Sequence, residues 1–419
     1  MHKYKNLDGL RGIAALIVVL CHYSNGFLPS LQGAAGAAHH TRADHFVATT
    51  PIHLLLAGNF AVCVFFVLSG FVLSIKFFHT KSVDVLLSSA SRRYFRLMIP
   101  ALISILCTYV ILRTGFVNSK TTAAITGSSG WLATFWNFTP HVMTALYQGT
   151  VGVFFGNQNS YNTSLWTMHL ELFGSFLIFM FLALFGNFKR RWILYGVFSL
   201  LLVKTYYLAF LLGVVISDIW VTQPQLKQKL HTPKMSIFFL VSGLLLGSWY
   251  VPAVYHVFYQ NFSLFGIESY YTGIALQIVG AAILIVAVLT SAPVTKVLET
   301  KPIQFLGHIS FSLYLIHLII LSSFAATLFN HLIRHFAYLA SLVLTALPSL
   351  GITLFAAYLF TKWVDTPSIA LSRELGNRLF FTSENKRSKT IAQRPLEIPS
   401  APLSTESTSS SAVTVAEVG

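Results

Sequence analysis

Arg11 and His22 are the residues of this chain best suited to chemistry. They lie in Leu7-Asp8-Gly9-Leu10-Arg11-Gly12-Ile13-Ala14-Ala15-Leu16-Ile17-Val18-Val19-Leu20-Cys21-His22-Tyr23, a segment otherwise apolar enough to enter a membrane. Ionisable groups are costly at membrane depth, so they mark functional sites by default. Eleven positions of helix span about 16.5 Å and leave the two side chains within roughly 20° of one face. One helical stripe therefore carries a fixed cation and, further along, a base that titrates near neutrality. The chemistry such a stripe offers is proton transfer at the histidine.

Four more stretches put polar groups among apolar ones. Phe65-Phe66-Val67-Leu68-Ser69-Gly70-Phe71 offers a hydroxyl, and its Ser69-Gly70 pair also lets another backbone approach closely. In Ser91-Arg92-Arg93-Tyr94-Phe95-Arg96, Arg93 and Arg96 are three apart and share a helix face. They either anchor the end of a span against lipid phosphates or dock a phosphorylated ligand, whose geometry the guanidinium fork matches. Glu171, in Trp166-Thr167-Met168-His169-Leu170-Glu171, lies about one and a half turns inside a span. A carboxylate there needs a partner, and Arg11, Arg93, Arg96 or His22 would serve. His169 points away from Glu171 on the same helix. Ser310, Tyr314 and His317 recur at i, i+4 and i+7 and draw one polar stripe along an apolar helix. That stripe either lines a cavity or satisfies a neighbouring helix.

The elements that must hold these residues are membrane helices. Of 419 residues, 55% are hydrophobic and only 10% charged, where a soluble domain is nearer a quarter charged. The net charge of +15 would suit nucleic acid. The cations are instead dispersed between apolar runs, which excludes a nucleic-acid-binding face. Ten segments approach the roughly 20 residues that a span needs: 10–28, 59–78, 94–113, 165–186, 190–203, 206–220, 236–252, 272–291, 305–329 and 337–362. The fifth and sixth are short and form either a tight hairpin or one re-entrant unit. Lys3, Lys5, Lys81, Arg92, Arg93, Lys189, Arg190, Arg191, Lys227, Lys229, Lys234, Lys296 and Lys301 fall on one side of this arrangement. Little beyond Arg42, Arg113, Lys120, Lys204 and Arg334 falls on the other. The positive-inside rule then puts both termini in the cytoplasm. The fold class expected is an all-α polytopic bundle of about ten transmembrane helices.

Two outer segments are long, 29–58 and 114–164, and loops of that length are usually functional or disordered. The first contains His39, His40 and His45; for the His39-His40 pair no spaced carboxylate or cysteine partner is read, and no metal site is expected. Cys21, Cys63 and Cys107 all fall in apolar runs and read as buried small hydrophobes. The basic start and apolar core of the first span imitate a signal peptide, but Arg11 interrupts that layout. From residue 377 the composition turns polar, then rich in Pro, Ser and Thr. Residues 1–376 are expected to be the membrane domain and 377–419 a disordered cytoplasmic tail.

Together these residues resemble the acyltransferase 3 family of integral membrane O-acyltransferases over roughly residues 5–370. Arg11 and His22 match that family's Arg-x10-His, and Leu7–Gly12 resembles its opening. Phe65–Phe71 is similar to its Phe-Phe-x-x-Ser-Gly-Phe, Arg93 and Arg96 to its Arg-x-x-Arg, Trp166–Glu171 to its Trp-Ser/Thr-Leu/Met-x-x-Glu, and Gly307–His317 to its Leu-Gly-x-Ile-Ser-Tyr-Ser-Leu-Tyr-Leu-x-His segment. The chain departs from the pattern at Phe311, where tyrosine is common, and at Asp365-Thr366-Pro367, where Glu-x-Pro is frequent.

The resemblance implies transfer of an acyl group, often acetyl, from cytoplasmic acyl-CoA to a hydroxyl of a glycan, a lipid-linked sugar or a similar acceptor, in the plasma or inner membrane. Acyl-CoA would be a substrate, with no bound cofactor. An alcohol needs a base to take its proton during attack, and His22 is assigned that role, with a transient acyl-histidine as the variant. Glu171 joins it at the chemistry, orienting the histidine or holding an arginine. Arg11, Arg93, Arg96, Ser69, Trp166, Tyr314 and His317 are expected to bind substrate. Ten spans with intramembrane charge also suit a transporter or flippase of a modified lipid or sugar, or a membrane sensor, although no transporter-like repeat is visible.

Overall fold

The computed structural model describes residues 4–32, 44, 46–47, 50–248 and 269–380. They belong to one compact unit, and among them there is no strand. His39, His40, His45 and residues 381–419 of the expected tail lie outside the described residues.

In chain order the helices are α1 (Lys5–Phe27), α2 (Gly58–Thr80), α3 (Val83–Thr114), α4 (Ser119–Thr126) and α5 (Val142–Tyr147). There follow α6 (Trp166–Phe185), α7 (Arg191–Leu202), α8 (Tyr207–Thr222), α9 (Pro224–Leu230), α10 (Pro233–Gly247) and α11 (Ser269–Thr290). The last are α12 (Ala292–Leu298), α13 (Lys301–Ile320), α14 (Ala326–Leu332), α15 (Tyr338–Phe360) and α16 (Thr366–Phe380). Wider π-turns at Gln148–Gly152, Leu321–Ala325 and Thr361–Asp365 continue α5, α13 and α15. Each of the ten expected segments has a helical counterpart. Among the described residues, seven helices are long and apolar enough to cross a membrane, or eight with the bent pair α8–α9.

Two expectations change, and one open alternative is resolved. The third span was expected to begin at 94, yet α3 starts at Val83, where the Ser82 hydroxyl caps it by accepting from the Asp84 amide at 3.2 Å. Arg93 and Arg96 therefore fall inside a helix and not at its edge. Segments five and six are two separate helices, α7 and α8. Buried Asp218 on α8 takes two hydrogen bonds from Arg191 on α7, at 2.5 and 2.7 Å, and a third from Tyr195 at 3.0 Å. The last helix is longer than expected. Tyr338–Arg378 is one run of 41 residues, about 60 Å at 1.5 Å per residue and twice the hydrocarbon thickness. Of the three free cysteines, Cys63 is buried, but Cys107 is exposed on α3.

The expected outer segment 114–164 is largely structured. Val142–Phe155 is an apolar helical run packed along α3, where the Tyr94 hydroxyl donates to the Thr150 carbonyl at 2.6 Å. The chain then returns without helical structure to Asn162, which donates to the Leu315 carbonyl of α13 at 2.7 Å and contacts Ser104 of α3 at 3.3 Å. Both helices continue well past that level. Irregular backbone at such depth survives only where protein or a polar cavity satisfies it, and Tyr161, Asn162 and Ser164 are buried.

Two close helix contacts set the bundle. A side chain on Gly70 of α2 or on Gly213 of α8 would meet the facing backbone at less than 3.0 Å, as would one on Gly12 of α1 or Gly307 of α13. Small residues at membrane interfaces allow this approach. We predict that Gly70→Ala destabilises the purified chain by about 1–3 kcal/mol, the usual cost of overpacking. Gly196→Ala, whose new methyl meets nothing within 4 Å, should leave thermal unfolding in the same detergent unchanged or slightly raised.

Candidate active site

The expected site residues stand on five helices: Arg11 and His22 on α1, Ser69 on α2, Arg93 and Arg96 on α3, Trp166 and Glu171 on α6, and Tyr314 and His317 on α13. Helices α1 and α13 run parallel from the end of the bundle that carries Lys5 and Lys301, where the Gln304 amide donates to the Lys5 carbonyl at 2.7 Å. The Gly12–Gly307 contact brings Arg11 against α13, and its Nε donates to Ser310 Oγ at 3.1 Å. Its Nη2 pairs with Asp8 at 2.9 Å and donates to the Gly307 carbonyl at 3.4 Å. The Arg11 side chain is nevertheless 44% exposed.

Further along the same two helices, His22 meets His317. Nδ1 of His22 lies 2.7 Å from Nε2 of His317. The ring centroids are 4.9 Å apart and the planes differ by 12°, which is edge-to-edge contact in a common plane, as an in-plane hydrogen bond demands. His317 is fully buried, and its Nδ1 lies 3.0 Å from the Leu313 carbonyl. Trp131 lies near-parallel to His22, with centroids at 5.3 Å.

Trp131 was not anticipated, because it comes from the segment expected to be an outer loop. Unsatisfied carbonyls at the end of α1 bring it there. A helix leaves its last carbonyls without partners. Ser128 donates to the Asn25 carbonyl at 2.7 Å, Thr126 to that of Gly26 at 2.8 Å, and Tyr338 to that of Phe27. The loop that caps α1 thereby lays its tryptophan on the histidine one turn below. The signal in the sequence was the Ser and Thr content of that segment, which marks capping without naming the helix to be capped.

The other arginines have carboxylate partners. Arg93 on α3 pairs with Glu171 on α6, and its Nε donates to Ser175 Oγ at 2.7 Å. Ser69 of α2 donates to the same Glu171 oxygen at 2.5 Å. The pair is mostly buried, with 16% of the arginine and 13% of the glutamate side chain exposed. Of the four partners open to Glu171, the structure selects Arg93, with no hydrogen bond to His22. Ser69 binds the carboxylate, while its neighbour Gly70 provides the close packing. Arg96 donates to Asp365 at 2.5 Å and to Ser368 at 3.1 Å, and its guanidinium sits 5.1 Å above the Phe311 ring. Both departures from the family pattern, Phe311 and Asp365, thus lie at one arginine.

The polar stripe on α13 is shared among neighbours. Ser310 meets Arg11, His317 meets His22, and the Tyr314 hydroxyl bonds Thr167 Oγ1 at 2.7 Å and the Ser164 carbonyl. Trp166 packs edge-on against Tyr206 at 5.6 Å, and His169 Nδ1 lies 2.7 Å from the Phe154 carbonyl.

A family described as an acyltransferase domain, acyltransferase 3, matches residues 4–362. The chain belongs to the acyltransferase 3 family. It is an acyltransferase of the kind that transfers groups other than aminoacyl groups. Membership sets aside the readings as a transporter or a sensor. Among curated proteins, the O-acetyltransferase PaAT-1 of Phomopsis amygdali is 25% identical, over an alignment that covers 92% of this chain and 86% of that protein. No solved structure matches the chain. The acyltransferase 3 match encloses every expected site residue.

Removing one member of a buried ion pair strands the other charge, which typically costs 3–5 kcal/mol. Glu171→Ala is accordingly expected to lower stability by about 3 kcal/mol. Adding Arg93→Leu should recover most of that loss in thermal unfolding of the purified chain. Full additivity of the two losses would show that the pair is not coupled.

Proposed function

We propose that this acyltransferase is a membrane O-acetyltransferase that takes the acetyl group from cytoplasmic acetyl-CoA and places it on a hydroxyl of a glycan, a lipid-linked sugar or a similar acceptor. The observation that carries this reading is the single face of α1 on which an exposed arginine and a partly buried, hydrogen-bonded histidine stand some three turns apart. The relative from Phomopsis amygdali, named an O-acetyltransferase, supports acetyl as the group and oxygen as its destination.

In this reading both termini are cytoplasmic and the membrane is the plasma or inner membrane, in keeping with Lys5, Lys81, Arg191 and Lys301 at one end of the bundle. The donor's phosphates bind at Arg11, whose guanidinium is the most open of the site arginines: 44% against 16% for Arg93 and 26% for Arg96. Arg93 holds α3 to α6 through Glu171, and Arg96 holds it to the end of α15 and the start of α16 through Asp365 and Ser368, a support role in place of the phosphate docking read from their spacing. The thioester arm extends along the α1–α13 seam towards His22. An acceptor hydroxyl reaches His22 from the opposite end, beside Trp131. His22 takes the hydroxyl proton as oxygen attacks the thioester carbonyl. The acetyl group crosses the bilayer while coenzyme A stays on the cytoplasmic side.

The test uses membranes from cells expressing the chain, labelled acetyl-CoA, and extract of the producing cells as a source of acceptors. Wild type is expected to label a hydroxyl-bearing product, and His22→Ala to lower the rate by about 10²–10⁴-fold, the range for a general base. Arg11→Ala should raise KM for acetyl-CoA about tenfold or more, in line with the loss of one charge-assisted contact. Normal transfer by His22→Ala rules out the base assignment, and an unchanged KM in Arg11→Ala rules out the phosphate contact.

A further inference from the structure

The hydrogen bonds of His317 fix the protons of the whole histidine pair. A carbonyl oxygen only accepts, so the Nδ1 that lies 3.0 Å from the Leu313 carbonyl carries a proton. In a neutral imidazole the lone pair is then on Nε2. That atom lies 2.7 Å from Nδ1 of His22. A nitrogen–nitrogen bond needs one donor, so the proton between them belongs to His22 Nδ1. The lone pair of His22 is thereby left on Nε2. A charged His317 would break this order, but it is fully buried and has no carboxylate among its hydrogen-bond partners, and an unpaired buried charge is expensive.

We propose that His317 is a positioning residue: a neutral acceptor, locked by the Leu313 carbonyl, that holds His22 in the Nδ1–H tautomer and leaves Nε2 as the nitrogen that takes the proton. The proposal rests on the reading of His22 as the base of acyl transfer. In that reaction the acceptor O–H bond breaks and its proton moves to His22 Nε2 as the oxygen bonds to the thioester carbonyl carbon. When the tetrahedral intermediate collapses, the C–S bond breaks and Nε2–H returns the proton to the departing thiolate. The imidazolium that exists between these steps keeps its Nδ1–H on His317 Nε2. The charge therefore always has an acceptor, without a carboxylate. A base whose orientation and tautomer are set by a third group is a recurrent arrangement in covalent and general-base catalysis; here a backbone carbonyl and a second imidazole supply it. Trp131 against the His22 ring restrains the same orientation.

The experiment compares His317→Gln with His317→Leu in the full chain, using labelled acetyl-CoA with the membranes and extract described above. Glutamine offers a carbonyl oxygen to His22 Nδ1–H, and should keep kcat within about tenfold of wild type. Leucine fills the space without an acceptor, and should lower kcat about 10²–10³-fold with KM for acetyl-CoA unchanged. Wild-type kcat in a His317→Leu chain of normal thermal stability overturns the proposal, as does a glutamine variant as slow as the leucine one. Absence of transfer by wild type, or full transfer by His22→Ala, instead overturns the underlying functional reading. Should His317→Leu fail to fold, the imidazole ¹⁵N spectrum of purified wild type decides. The signals lost in His22→Gln should be those of a ring protonated at Nδ1, and a ring protonated at Nε2 overturns the proposal.

Discussion

The parallel contact between α1 and α13 is the constraint on which the rest depends. Gly12 and Gly307 admit no side chain where the backbones meet, so the two helices lie close enough for short polar contacts along their length. Arg11 reaches Ser310 near one end of the seam and His22 reaches His317 further along. Each contact fixes the register of the other. A slide of one residue would turn the histidines away from each other and leave a buried imidazole without its partner, at a cost of order 1–3 kcal/mol for each lost bond.

Around that seam, α13 serves as a polar axis in an apolar bundle. Phe311 lies beneath Arg96 of α3, Ser312 receives a hydrogen bond from Thr361 at 2.7 Å, Tyr314 bonds α6, and the Leu315 carbonyl takes Asn162. Hydrocarbon offers no water to satisfy such groups, so each must find a partner in another helix. The same requirement that protects these groups therefore orients α3, α6 and α15 about the histidines. The π-turn at Thr361–Asp365 belongs to this scheme: it presents Thr361 to Ser312 and Asp365 to Arg96 from one widened stretch of helix.

Much of the site could be read from its residue types. Ionisable side chains in apolar segments pointed to Arg11, His22, Glu171 and His317, and i, i+3 spacing put Arg93 and Arg96 on one face. Their partners could not be read in that way. Glu171 had four candidates, and only the packing of α3 on α6 chooses Arg93. Asp365 was visible as a variation in a motif, but its tie to Arg96 spans 269 positions. Trp131 stood in a segment whose Gly, Ser and Thr content reads as loop. The start of α3 was misplaced because Ser and Arg among residues 83–93 lower its apolarity, while tertiary contacts with α6 and α16 sustain the helix.

By itself the sequence determined a helical chain with apolar spans, one basic end, and a small set of polar residues too costly to be incidental. These are local properties, set by composition and by the 3.6-residue period. The tertiary structure decided which polar groups face each other: His22 with His317 across 295 positions, and Arg93 with Glu171 across 78. Such pairs follow from helix proximity and register, which depend on glycine contacts and on capped carbonyls supplied by distant segments. No local pattern encodes them, because the energy that selects a partner exists only once the helices are side by side.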